Sequence, residues 1–137
     1  MLVTGDSKMS VTDLLQVMPP PIVDGSHGMM QVIELPPGDA GVGAHRHSGP
    51  VFGYVIEGEI LFELEGDAPY VLKAGDAFFE PGGDVIHYQA ANLSSESRSR
   101  FFVAMLCAPD VPMITMVDDD EIAARRDRRH PAAPAAR

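Results

Sequence analysis

The sequence predicts an all-β fold, a single antiparallel barrel or sandwich, on three observations. Gly and Pro together supply 25 of 137 residues, well above ordinary usage, which speaks for many turns and against a helical bundle. Eight to ten short apolar or alternating runs follow one another, separated by Gly/Pro signals. In the stretch 59–65, Glu59, Glu63 and Glu65 share one parity while Ile60, Phe62 and Leu64 share the other, the period-two pattern of a strand with one wet and one buried face.

Each element follows from its own residues. Residues 1–27 read as a leader, in which VTDLLQVM (11–18) suits a short strand or one helical turn. MPPPIVDGSHG (18–28) is irregular, because proline lacks the N–H and restricts the residue before it. Met9 offers an alternative start that would leave residues 1–8 as an extension outside the fold. MMQVIEL (29–35) is a strand ended by PPGD, and GVGAHRH (41–47) is a short strand before the turn SGP. VFGYVIEGEILFELEG (51–66) gives two strands around Glu57-Gly58, and 70–92 gives three more, broken at AGD and PGG. SSESRS (94–99) is a hydrophilic loop. FFVAMLC (101–107) is apolar on both faces and reads as a central or covered strand, and MITMV (113–117) is the last strand. The core domain is thus 28–117. In the tail, 118–137, DDEIAARRDRR suits a short exposed helix with acids first and Arg last, the favourable sense for its dipole, and HPAAPAAR is expected to be disordered and solvated.

Charge and cysteine content narrow the function. Ten basic residues face twenty acidic ones, and the tail 118–137 is balanced at five and five, so residues 1–117 carry the whole formal charge of −10. That argues against nucleic-acid and anionic-membrane partners, whose phosphates need clustered Lys and Arg. One cysteine, Cys107, excludes an internal disulfide and reads as a small buried hydrophobe. With no apolar run of secretory or membrane-spanning length, the expected location is cytoplasmic.

Of five histidines, His27 sits in the leader and His130 in the tail. His45 and His47 flank Arg46 on a strand, so both imidazoles leave from one face. Two such rings, with a third from a neighbouring strand at His87, can converge about 2 Å from a metal. HxH by itself is a weak signal. Its context strengthens it: GVGAHRHSGPVFGYVIEGEI (41–60) and GDAFFEPGGDVIHYQAAN (75–92) closely resemble the two motifs of the cupin superfamily, with His45, His47 and Gly58 in the first and Gly75, Pro81, Gly83, His87 and Asn92 in the second.

The resemblance, over residues 29–117, implies a small single-domain cupin β-barrel of the RmlC-like, jelly-roll type holding a metal at His45, His47 and His87. It departs from the pattern in three places. Val51 stands where the motif has its ligating Glu, one extra residue separates Gly83 from His87, and Asn92 is likewise one residue late. Three-His cupins include Fe(II) oxygenases, so the resemblance favours a divalent metal, Fe(II) first, with Zn, Ni, Mn and Cu admitted by the same ligands. The implied function is an Fe(II)-dependent, dioxygenase-type oxidoreductase acting on a small organic substrate. A metal-dependent lyase, isomerase or cyclase, and a non-catalytic binding cupin, remain open beside it.

Strand parity nominates a pocket of Val51, Gly53, Phe79, Gln89, Val103 and Met105. Gln89, two residues beyond His87, is expected to face inward as the catalytic candidate, as a substrate- or water-binding amide, or else to be a structural amide. Glu80 is either an acceptor for a histidine N–H or, on the balance of the sequence, an exposed acid; no inward carboxylate is expected. Arg46 points away from the ligands toward an acid outside. The outward side of 101–107 and the apolar leader residues Leu14, Leu15 and Val17 predict a homodimer, with the leader strand exchanged between subunits.

Overall fold

In a computed structural model that describes residues 7–131, the chain forms nine strands and a short C-terminal helix. The strands are β1 (His27–Leu35), β2 (His45–His47), β3 (Val51–Glu57), β4 (Glu59–Leu64), β5 (Tyr70–Lys73), β6 (Ala77–Glu80), β7 (His87–Ala91), β8 (Ser99–Cys107) and β9 (Ile114–Met116), followed by α1 (Asp119–Ala124) and a 3-10 turn, Arg126–Arg128. All strand pairs are antiparallel. They build a four-stranded sheet, β1-β8-β3-β6, and a five-stranded sheet, β5-β4-β7-β2-β9. The predicted barrel is therefore two facing sheets with open edges rather than a closed cylinder.

The core lies between the sheets. Val51, Val55, Phe78, Phe101, Val103 and Met105 from the four-stranded sheet meet Ile60, Phe62, Leu64 and Leu72 from the other. β8 shows the alternation most plainly, with every odd residue from Ser99 to Cys107 buried and every even one half-buried. Cys107 is buried as expected. The chain crosses from one sheet to the other at Gly58, whose φ is 77° and where a Cβ would sit 2.7 Å from the Arg98 carbonyl oxygen. Only glycine fits that corner.

Two expectations fail. The leader forms no strand or helical turn among residues 7–26; Val11, Leu14, Leu15, Met18 and Val23 are exposed. With no strand of the same chain beside it, its backbone has no ladder to join. The tail is not simply solvated: Asp118 caps α1 by accepting from the Glu121 N–H at 2.8 Å, and Ile122 packs on Ile86, Tyr88 and Val117 on the outer side of the five-stranded sheet. Its arginines complete the attachment. Arg129 donates to both carboxylate oxygens of Glu63 at 2.8 Å and lies 4.1 Å over the Tyr88 ring. Arg125 pairs with Glu65 and with Asp84. Glu63, expected on the wet face, is fully buried as a result. The expected disorder of HPAAPAAR falls mostly on residues 132–137, outside the described residues.

Candidate metal centre

β2 is only three residues long, and its alternation sends His45 and His47 inward and Arg46 outward. Arg46 forms a bidentate pair with Glu121 of α1, the acid outside that its parity calls for. The single β2–β7 register pair is His45 with His87, which brings the third imidazole directly across from the first. Ahead of His87, Gly82 and Gly83 both take positive φ angles, and the Gly83 N–H donates to the His47 carbonyl at 2.8 Å, tying this turn to β2. His87 therefore stays inside the sandwich.

The three rings offer ligand atoms that all lie within 4.8 Å of one another. His45 Nε2 and His47 Nε2 are 3.2 Å apart, inside the 3–4 Å expected of ligands on a common ion, while the widest separation exceeds it. Each ring is oriented from behind. His45 Nδ1 donates to the Gly43 carbonyl at 2.7 Å, His87 Nε2 donates to the Gln89 carbonyl at 2.9 Å, and His47 Nδ1 faces the Met113 thioether at 3.2 Å. With His45 Nδ1 and His87 Nε2 donating to backbone carbonyls, His45 Nε2 and His87 Nδ1 are left as acceptors facing the cluster, the arrangement a metal-binding imidazole needs.

Burial favours the neutral form of His45 and His47. It lowers the His45 pKa from 6.5 to about 4, against the Gly43 hydrogen bond and with help from the neighbouring rings. Burial likewise lowers His47. Neutral imidazoles bind a cation without first losing a proton.

A fourth group reaches the cluster, the acid that the sequence weighs as exposed over its alternative as a histidine partner. Glu80 ends β6 opposite Val51 of β3 and points inward; it is 3% exposed, not the surface acid expected. Its Oε1 lies 2.8 Å from His87 Nδ1 and 3.4 Å from His47 Nε2. Burial pushes the Glu80 carboxyl up, but the hydrogen bond from the adjoining His87 ring, with His47 and His45 beyond it, pulls harder, so the net shift is downward. With the His87 proton on Nε2, Glu80 Oε1 and His87 Nδ1 are both buried without a hydrogen-bond partner. They face each other at 2.8 Å, a contact that needs either a proton on the ring or a cation shared between the two atoms. The donor set fits a divalent metal.

The cluster opens into a cavity of about 130 Å³, walled by Ile33, Val51, Phe101, Val103, Met105 and Met113, with Gln31 among its lining residues. Of the predicted pocket, Val51, Val103 and Met105 line it. Three residues do not. The space at Gly53 is filled by the Phe78 ring, which a Cβ would meet at 2.0 Å. Phe79 pairs with Phe52 in register and stacks on it with ring centroids 5.2 Å apart, on the outer face. Gln89 is turned by a bulge in the β4–β7 ladder, where Glu63 pairs Gln89 and Leu64 pairs His87, so Tyr88 is the extra residue. Its amide donates to Glu63 at 2.9 Å on the outer face, a structural role.

The family model for the cupin domain matches residues 31–105, more than half of the chain. No curated protein matches it. Solved structures of the same fold include an RmlC-like cupin from Shewanella frigidimarina, 28% identical with TM-score 0.50 over 61% of this chain and 68% of that one. Another is a cupin-2 domain from Rhodospirillum rubrum, 16% identical with TM-score 0.58 over 77% of this chain and 66% of that one. An oxalate oxidase is 24% identical with TM-score 0.55 over 66% of this chain, which spans about half (46%) of the oxidase's length. The paired motifs, the facing antiparallel sheets and the matched family model agree: the chain belongs to the cupin family.

Proposed function

We propose that this cupin is a metal-dependent oxidoreductase of the Fe(II) dioxygenase type, acting on a small organic substrate that chelates the metal. The observation that carries the reading is the set of three converging imidazoles opening into an apolar cavity of about 130 Å³. The cavity has room for several waters. Its volume lies well below the ~300–1,000 Å³ of drug-sized ligand pockets, so the substrate is a small enol, dicarbonyl or phenol rather than a nucleotide sugar or peptide. His45, His47 and His87 would hold the ion. Val51, Val103, Met105 and Phe101 would keep water from it. Bound Fe(II) would supply one-electron chemistry toward O₂ and a Lewis-acidic anchor for the substrate.

A non-oxidative lyase, isomerase or cyclase needs a proton acceptor in the cavity. Glu80 supplies the one carboxylate among the lining residues, which keeps that reading second. Metal analysis of protein purified anaerobically from iron-rich medium, followed by oxygen uptake with a panel of small enols and catechols, tests the order. Stoichiometric iron with substrate-dependent oxygen consumption supports the oxidoreductase. Zinc or nickel with turnover but no oxygen uptake moves the assignment to the non-oxidative class. Absence of any bound metal leaves only a binding role.

We further infer a homodimer in the cytoplasm. The outer face of the four-stranded sheet carries Met30, Val32, Tyr54 and Ile56 in the open, and the leader is equally apolar and equally exposed. A two-fold pairing that lays each leader on the partner's sheet covers both.

A further inference from the structure

We infer that Glu80 is the fourth ligand of this centre: the carboxylate absent from the first motif has moved to the neighbouring strand. The inference rests on the metal-binding reading above and adds a residue that neither motif assigns. Val51 and Glu80 are direct register partners on β3 and β6, and both side chains point into the cavity. Directly opposed residues of an antiparallel pair hold their Cβ atoms ~4.5–5.5 Å apart. A carboxylate carried by β6 thus reaches the volume that a glutamate at position 51 would occupy. Oε1 of Glu80 is 2.8 Å from the free nitrogen of His87 and 3.4 Å from that of His47, the spacing of neighbouring ligands around one ion about 2 Å away.

The exchange is also coherent in charge. A glutamate at 51 beside Glu80 would place two carboxylates at one buried point, where they cannot both ionise cheaply. Valine at 51, 1% exposed, leaves a single anion and fills the gap with hydrocarbon. A divalent ion held by imidazoles alone would be a buried double charge. Glu80 halves it.

The test uses full-length protein loaded with Co(II) or Zn(II) and read by chelator competition and by infrared difference spectroscopy. Glu80→Gln should weaken metal binding by more than roughly 100-fold, beyond the ~10–100-fold typical of a residue that only orients a ligand. Adding Val51→Glu to that variant should recover most of the loss, since it returns a carboxylate to the same point from the other strand. In the unaltered protein, Zn(II) should shift the carboxylate stretching bands, and Glu80→Gln should remove that shift. A smaller loss in Glu80→Gln, or no recovery in the double variant, overturns the proposal. Should Glu80→Gln fold poorly, the unaltered protein still decides: metal binding without a carboxylate shift overturns the fourth ligand and leaves the three-His centre standing. Failure of the unaltered protein to bind either metal overturns both.

Discussion

The two sheets share one core and treat their outer faces in opposite ways. The five-stranded sheet carries Glu63 outward, with Glu65 in the turn just past β4, and the chain's own tail returns to cover them with Arg129 and Arg125. The four-stranded sheet carries Met30, Val32, Phe52, Tyr54 and Phe102 outward, and no segment of the same chain crosses them among the described residues. A charged face can be closed by a short ionic strap, because each guanidinium matches one carboxylate bidentately. An apolar face needs area, which a tail of this length does not have. The difference teaches why this cupin reads as self-sufficient on one side and unfinished on the other.

The strongest way to break the contrast is to cut the strap. Arg129→Ala leaves Glu63 buried and largely unpaired, and loss of one partner from a buried pair costs about 3–5 kcal/mol. Arg126→Ala, at an exposed position of the same turn, should stay within about 0.5 kcal/mol. Urea unfolding of both variants checks the pair, and equal midpoints would show that the strap contributes nothing.

Acid separates the sheets next, since His45 belongs to the five-stranded one. Its pKa is about 4 folded against 6.5 free, so below pH 6.5 the unfolded chain binds the extra proton. The stability of metal-free protein is then whole above pH 6.5 and falls by about 3 kcal/mol on the way to pH 4. His45→Gln should flatten that slope in a denaturation series across the range.

On the four-stranded sheet the sensitive point is packing. Gly53→Ala drives a methyl into the Phe78 ring and should cost about 1–3 kcal/mol by overpacking, read again from the urea midpoint. A stabilised variant would mean that the space is open and the original pocket assignment right.

The smallest effect on the isolated subunit is expected at Val32, 54% exposed. Val32→Glu should change monomer stability by less than about 0.5 kcal/mol yet shift a micromolar dimer to monomer in sedimentation. A wild-type protein that sediments as a monomer removes the dimer outright. A dimer unchanged by deletion of residues 1–20 removes only the exchanged leader.

Much of this was legible in the residues. Alternation from Glu59 to Leu64 and from Phe101 to Cys107 marks β4 and β8, and HRH on a strand brings two imidazoles to one face. Parity counting failed where the ladder skips. Gln89 was assigned inward by counting two from His87, but the bulge at Tyr88 turns it out, and the one-residue excess between His87 and Asn92 is that bulge's trace in the sequence. Sequence admits Glu80 as an acceptor for a histidine N–H but weighs it as an exposed acid, because facing depends on which strand lies opposite, and the β3–β6 register is a long-range fact that no local pattern encodes. The paired signs are nonetheless present: Val51 where the first motif has its Glu, and an acid, Glu80, just before Pro81 of the second motif. Burial of Glu63 was hidden for a similar reason, since its cover comes from residue 129.

The brevity of β2 bears on local unfolding. It is joined to β7 by a single register pair, His45 with His87, and to β9 by three, so the ladder is thinnest where two of the ligand strands meet. A metal held by those same two residues would act as a rivet across that seam. Amide exchange at 45–47 and 114–116 should therefore slow markedly on metal loading, while β8, zipped to β1 over nine pairs, should show little change.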